Sequence, residues 1–431
     1  MKTQYTAGFA RLDITPHLGV PISGGWKMRT GSGLWDPLYV CAVAFGDGER
    51  SAVVLSLDNL GMGGDQGLSF PEEVAQLLGI PEACVIVCCT HSHTTPSAAL
   101  DAEYRAWLLR RCRDAAQLAI QDCKPVTDVR WAEGEAGGVA FVRRYKMTDG
   151  TVLTNPPGAE QEKILGPACE NDDSVRVIRI LREDAPEICV VNFQAHPDNI
   201  GGDWYSADYP GALRNTVEAL CPNSRCIFLN GAEGQMITSN AQAPRIPASY
   251  EKAVAIGEKL GRRVAELAKE TVSTGMTGLS FGRKTAHMRT KRDPNMLPEA
   301  QRRLALHQQG KDLEIHPSQK IANYLLAEAR RQVSLNEKQL DEILAEVSAV
   351  SFCGLALVGI PGEPFNEVGK RIRKDSKFPA TCVMCMANGS LGYMPMTADH
   401  NQGSYEDRAT PFGPGSAEHL ADTASALVAA L

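Results

Sequence analysis

Short apolar runs recur along the chain, and each stops abruptly at a group of polar residues and glycines. Cys84 to Cys89 ends at Thr90-His91-Ser92-His93, and Ile188 to Phe193 ends at Ala195-His196-Pro197-Asp198-Asn199. Ser51 to Leu57 runs into Asp58-Asn59, and Cys226 to Leu229 runs into Asn230-Gly231-Ala232-Glu233-Gly234-Gln235. Phe352 to Ile360 precedes Pro361-Gly362-Glu363, and Thr381 to Ala387 precedes Asn388-Gly389-Ser390-Leu391-Gly392-Tyr393. Runs this short, rich in β-branched residues and bounded by turn formers, predict buried strands.

Helical periodicity fills the gaps between them. Ser69 as N-cap with Pro71 in the first turn predicts one helix start. Ala102 to Cys123 carries Tyr104, Leu108, Cys112, Ala115 and Ala119 on one stripe, and Leu260, Val264 and Leu267 mark a helix from about Tyr250 to Glu270. Ser334-Leu335-Asn336-Glu337 has the form of a capping box, predicting a helix that buries Leu340, Ile343, Leu344 and Val347. The expected fold class is α/β, with mixed β-sheets flanked by helices. The composition turns polar and basic between Lys284 and Gln332, which predicts a largely helical insertion at about 284–332, a solvated excursion or a lid or oligomer surface. With no internal repeat and no low-complexity linker, residues 1–431 are expected to form a single domain.

Composition adds limits. At 431 residues, 43% hydrophobic and 22% charged, the chain has ordinary globular values, and a net charge of −7 with no basic stripe argues against nucleic acid as a partner. No apolar stretch approaches the roughly 18 residues of a membrane span. Met1 to Gly8 lacks the apolar core of a signal peptide. The thirteen cysteines include the adjacent pair Cys88-Cys89, whose side chains would face opposite sides of one strand, so a disulfide framework is not expected. A reduced, cytoplasmic protein is the expectation. Cys382-Val383-Met384-Cys385 has zinc-knuckle spacing but lies in an apolar strand without a second such pair, and reads as core.

The chemistry gathers at the strand ends. Carboxyl ends of strands are where α/β proteins build sites. A catalytic zinc takes about three nitrogen or oxygen ligands and keeps one position open, and His91, His196 and Glu363 supply such a set. Such a metal would polarise a carbonyl and bring the pKa of its water toward neutrality. His93, two residues beyond His91, would share its side of an extended segment and handle protons. Taken singly, a histidine at a strand end is more often a surface or hydrogen-bonded group than a ligand, and Gly-Glu turns such as that at Glu363 are common; the constellation is what suggests a site. Arg143, in Arg143-Arg144-Tyr145, is suited either to gripping an anionic group through its planar fork or to an exposed ion pair.

In their order along the chain these motifs resemble the neutral/alkaline non-lysosomal ceramidase family, in a short form. The likeness runs through Ala7 to Pro16, Thr90-His91-Ser92-His93, Asn192 to Pro197, Asn230-Gly231-Ala232-Glu233-Gly234, Pro361-Gly362-Glu363 and Gly392-Tyr393-Met394-Pro395. The resemblance implies a ceramidase N-terminal-domain-like fold and a zinc amidase with one Zn2+ per chain, bound by His91, His196, Glu363 and Tyr393. It implies catalytic roles for His93 and Arg143. Tyr393 would need the ion to lower its phenol pKa.

The chain departs from the family at three places. Ile237 stands where the family has a catalytic serine, with Thr238 and Ser239 beside it. Val142 and Arg144 replace the asparagine and serine that flank the family's arginine. The chain is also expected to lack the family's C-terminal β-sandwich domain and its export signal. The expected activity is therefore a zinc-dependent, amidase-like hydrolase acting on a small soluble amide or ester rather than on ceramide. The alternatives are a metal-dependent lyase or isomerase of a polar carbonyl or sugar metabolite, and a non-catalytic metal- or ligand-binding relative.

Overall fold

A computed structural model describes residues 4–62 and 70–431. The cap expected at Ser69 lies outside the described residues; the helix it would open is present as Phe70–Leu78, with Pro71 in its first turn.

The main sheet is mixed. Its strands lie in the order Ser224–Asn230, Glu187–Phe193, Ser174–Arg182, Lys124–Glu135, Thr6–Asp13, Tyr39–Gly46, Ser51–Leu57, Val85–Cys89, with the short Val272–Ser273 also pairing with Lys124–Glu135. Pairing is parallel only at the two edges, Glu187–Phe193 with Ser224–Asn230 and Ser51–Leu57 with Val85–Cys89. A parallel pair needs a crossover. Helices Asp208–Leu220 and Phe70–Leu78 provide these two, which covers the edge strands and accounts for their unbroken apolar sequences.

The sheet curls until its edges meet. Ser56 Oγ, from one edge region, donates to Phe228 O of the other at 2.6 Å. A second sheet, ordered Leu279–Arg289, Glu342–Phe352, Leu355–Gly359, Ala380–Met384, packs into the curl. Asn192 Nδ2 donates to Val383 O at 2.9 Å, and Cys385 N to Asn230 O at 2.9 Å. At the opposite edge Asn388 N donates to Val87 O, and Asn388 Oδ1 accepts from Val87 N, both at 2.8 Å. Ile86, Cys88, Ile227, Leu229, Leu357 and Cys382 form the core between the two sheets. Strand ends that the sequence spreads over three hundred residues are thereby drawn to one place.

Helix Ala102–Gln121 covers one outer face, Asp208–Leu220 with Tyr250–Leu267 a second, and Asn366–Asp375 with Ser416–Ala430 the far side of the second sheet. Helices Asp208–Leu220 and Tyr250–Leu267 approach closely at Gly257, where a Cβ would stand 2.6 Å from Tyr209 O. No helix among the described residues is long and apolar enough to cross a membrane.

Three expectations need correction. Ser334–Glu337 closes a helix, Gln319–Glu337, rather than opening one, and Glu342–Phe352 is a strand paired with Leu279–Arg289. Leu340, Ile343, Leu344 and Val347 fit a helical stripe by spacing, but the β-branched, alternating sequence gains a full ladder as a strand, which leaves Leu344 60% exposed. The polar segment near 284–332 begins as strand through Arg289; its helices are Leu297–Gln308, Asp312–Ile315 and Gln319–Glu337. Phe352 to Ile360 is the end of one strand and the whole of the next, joined at Cys353-Gly354 with φ of 48° and 80°.

Candidate metal centre

Asn230 ties the two histidine-bearing strand ends together. Only 1% exposed, it donates from Nδ2 to Thr90 O at 2.9 Å and to Ala195 O at 3.4 Å. Each carbonyl belongs to the residue just before a histidine. His91 N donates to Asn59 O at 2.9 Å and His196 N to Met236 O at 3.0 Å. His91 has φ of 70°, a left-handed conformation, so Thr90 to His93 is kinked rather than extended. The kink, not strand alternation, brings the His91 and His93 rings to 5.1 Å between centroids.

His91 and His196 lie edge-to-face at 5.0 Å. Backbone carbonyls occupy both Nδ1 atoms: Leu60 O at 2.6 Å for His91, and Glu233 O at 3.0 Å and Met236 O at 3.1 Å for His196. Each ring therefore donates from Nδ1 and turns Nε2 toward Glu363 Oε2, at 3.4 Å from His91 and 3.1 Å from His196. Two imidazole nitrogens facing one buried carboxylate oxygen are held there by a proton on each nitrogen or by a cation among them. Burial works against charged histidines, yet Glu363 and Glu233 raise both His91 and His196, the latter to about 9. Burial also opposes the Glu363 carboxylate, which the two histidines hold well below the usual range. The ligand atoms of His91, His196, Glu233 and Glu363 all lie within 4.8 Å of one another, and those of His91, His93 and His196 do likewise. A divalent cation fits this donor set.

Tyr393 sits beside Glu363 by backbone pairing, since Glu363–Pro364 and Tyr393–Met394 form a short parallel ladder. Its ring stacks at 6.3 Å from His196, with the Arg143 guanidinium 5.3 Å from its centroid. Burial and Glu363 push the Tyr393 phenol up, while Arg143 opposes them. Arg143 is buried, not exposed, and its Nε donates to Glu406 Oε1 at 2.6 Å and its Nη2 to Gly234 O at 2.9 Å. Burial disfavours its charge, but Tyr393, Glu406 and Glu363 outweigh that. Arg144 turns away, donating to Asp399 Oδ1 at 2.7 Å. His93 Nδ1 donates to Gly24 O at 3.1 Å, its Nε2 is buried without a partner among the described residues, and burial lowers its pKa to about 4.

All six residues singled out from the sequence thus lie in one neighbourhood. Glu233 joins them and was missed. It is the variable position of the Asn-Gly-Ala-x-Gly motif, and the only signal was an acidic residue closing an apolar strand. Ile237 is 7% exposed and bridges to His196. The neighbouring hydroxyls are committed: Thr238 Oγ1 donates to Asn199 Oδ1 at 2.6 Å, and Ser239 Oγ accepts from Lys252 Nζ at 2.7 Å. Cys382 and Cys385 are free and buried, as are most of the other cysteines, and no disulfide is formed.

No family model matches the sequence, and no curated protein matches it. Solved structures do. The crystal structure of neutral ceramidase from Pseudomonas aeruginosa is similar with a TM-score of 0.71 at 15% identity, covering 100% of this chain and 75% of that one. A ceramidase complexed with C2 gives a TM-score of 0.71 at 14% identity, over 100% and 76% of the two chains. The chain has the neutral-ceramidase fold.

Proposed function

We propose that this protein is a metal-dependent, amidase-like hydrolase of a small soluble amide or, less favourably, an ester. The observation that carries the proposal is the convergence of two imidazole Nε2 atoms and a carboxylate at strand ends, on a fold shared with ceramidases. His91, His196 and Glu363 would hold zinc, with Tyr393 as the fourth protein group. Bound there, zinc would supply Lewis acidity to a substrate carbonyl and a lowered pKa to water.

The chain's own residues do the rest. His93, neutral at pH 7 with a free Nε2 lone pair, accepts a proton from the attacking water and returns it to the leaving nitrogen. Arg143 holds positive charge against the Tyr393 ring, favouring the phenolate and any negative charge that develops beside it. Trp26, Tyr405 and Tyr393 form a chain of ring contacts, each 5.5 Å, from the surface to the centre, and Tyr324 of the polar helical segment adds to it at 5.5 Å from Tyr405. We take residues 1–431 as one functional domain and the reduced cysteines as favouring a cytoplasmic setting.

Metal content by plasma mass spectrometry, followed by an amide and ester panel in oxygen-18 water, tests the reading. About one zinc per chain, lost in His91→Ala and Glu363→Gln, with oxygen-18 entering the product, is expected. Folded wild type that takes up no zinc on reconstitution would overturn it. The buried Ile237, with its neighbouring hydroxyls committed, favours a second reading, enolisation of a carbonyl by a lyase or isomerase. Solvent deuterium entering a substrate carbon without oxygen-18 would select that reading. Full zinc with no turnover across the panel would select a binding protein.

A further inference from the structure

Glu233 stands out because its burial is unexplained by the metal set alone. Its side chain is 0% exposed, and neither carboxylate oxygen has a well-aligned hydrogen bond among the described residues. Burying a carboxylate without donors is costly, so such a group persists where it acts on something. His196 Nδ1 lies 2.8 Å from its Oε2. The Cys385 thiol also lies against it, pushed up first by burial and then by this carboxylate.

His196 is therefore held between two carboxylates, Glu233 at Nδ1 and Glu363 at Nε2. Three oxygens lie within 3.1 Å of Nδ1: the two backbone carbonyls accept its proton, and the Glu233 carboxylate, the closest at 2.8 Å, stands beside it out of alignment. Glu233 O and Met236 O fix the plane of the ring, whereas the charge of the Glu233 side chain strengthens the Nδ1–H bond and enriches the Nε2 lone pair. The loop that carries Glu233 is pinned on three sides. Met236 N donates to Glu233 O at 2.7 Å, Gly234 N to Pro364 O at 2.9 Å, and Arg143 Nη2 to Gly234 O. A Cβ at Gly234 would lie 2.4 Å from Glu363 O, so this loop also touches the backbone of the other carboxylate.

We infer that Glu233 is a positioning carboxylate of His196: its charge beside Nδ1 favours the Nδ1–H tautomer that the backbone carbonyls hold and raises the ring's strength as a ligand, without itself binding the metal. The inference rests on the metal-centre reading of the site. It gives the Asn230–Gln235 loop a role that differs from supplying a hydroxyl group, in a chain where Ile237 stands at the serine position.

Zinc affinity of the full-length protein, measured by competition with a chromophoric chelator, tests it for wild type, Glu233→Gln, Glu233→Asp and His91→Ala. Thermal melting of the metal-free proteins reports folding. Loss of a partner to a ligating histidine weakens metal binding about 10–100-fold. Glu233→Gln is expected to fall in that range while its metal-free melting stays near wild type, with Glu233→Asp in between. Wild-type affinity in Glu233→Gln, or in Glu233→Asp should the first variant not fold, would overturn the inference. Complete loss of zinc, matching His91→Ala, would also overturn it, by making Glu233 a direct ligand. Wild type that binds no zinc would fail the metal-centre reading itself, a separate result.

Discussion

The ion pair beneath the His91 strand end offers the most quantitative check on this architecture. Arg214, from helix Asp208–Leu220, reaches Asp58 at the end of Ser51–Leu57, with Nη1 to Oδ1 at 2.8 Å and Nη2 to Oδ2 at 2.5 Å. Their side chains are 3% and 0% exposed, and Asp58 Oδ2 also accepts from Tyr39 N at 2.9 Å. Burial opposes the Arg214 charge, but Asp58 outweighs it and keeps the guanidinium protonated. Arg214→Met would leave a buried carboxylate with the Tyr39 amide as its remaining donor. Breaking such a pair from one side costs about 3–5 kcal/mol, while removing both charges costs far less.

Unfolding entropy of about 2.1 cal/mol/K per residue scales to roughly 0.9 kcal/mol/K for 431 residues. The single substitution should therefore lower Tm by about 3–6 °C, and Asp58→Asn with Arg214→Met should recover more than half of that loss. The effect should reach the site. Asn59 O holds His91 N, so zinc affinity should fall in Arg214→Met and return in the double variant. Melting curves of the four proteins at fixed pH, with chelator competition alongside, supply the cycle. A single variant within 1 °C of wild type, or strictly additive losses, would refute the reasoning.

Other consequences can be checked alongside. Gly234→Ala forces a Cβ to 2.4 Å from Glu363 O; backbone against backbone yields little, so a loss of about 1–3 kcal/mol and weaker zinc binding are expected in the same assays. His93→Ala should keep its zinc but lose about 10²–10⁴-fold in kcat, the range of general acid–base catalysis; unchanged kcat on a substrate from the panel would remove His93 from the mechanism. His400 is buried, and burial with Lys291 lowers its pKa to about 4, with Asp407, Asp399 and Glu418 opposing. Since the folded value lies below the unfolded one, its contribution to stability is present above about pH 6.5 and is lost as pH falls toward 4. His400→Gln should flatten the drop in Tm between pH 7 and 5, and an unchanged slope would assign that drop to other groups.

Much of the site was legible because it follows a local rule. An apolar run ending in a histidine or carboxylate is visible in one dimension, and His91, His196 and Glu363 were each found that way. What the sequence could not show was why these ends meet. The His91 strand is one edge of the main sheet and the His196 strand lies next to the other edge, and their approach depends on the sheet's curl and on side-chain ties such as Asn230 to Thr90 O. The kink at His91 was equally hidden, since nothing local demands a left-handed φ there. The misread helix after Ser334 failed for the opposite reason: Leu340, Ile343, Leu344 and Val347 satisfy the helical period, and only the partner strand Leu279–Arg289 decides against it.

Ile237 and Glu233 belong to the same loop and are best understood together. At Ile237 the chain places an apolar side chain in a β-bridge with His196, and both adjacent hydroxyls are spent on Asn199 and Lys252. A hydroxyl acting from this loop would have to break one of those bonds. The polar group this loop does offer the centre is the Glu233 carboxylate, 2.8 Å from His196 Nδ1 and in the same cluster of potential ligand atoms as Glu363. On the proposed hydrolase reading, the imidazole that would move a proton is His93, whose Nε2 has no partner among the described residues. Such a centre suits substrates whose leaving group needs one proton delivered, as an amide nitrogen does, and whose carbonyl is activated by the cation rather than by a protein nucleophile.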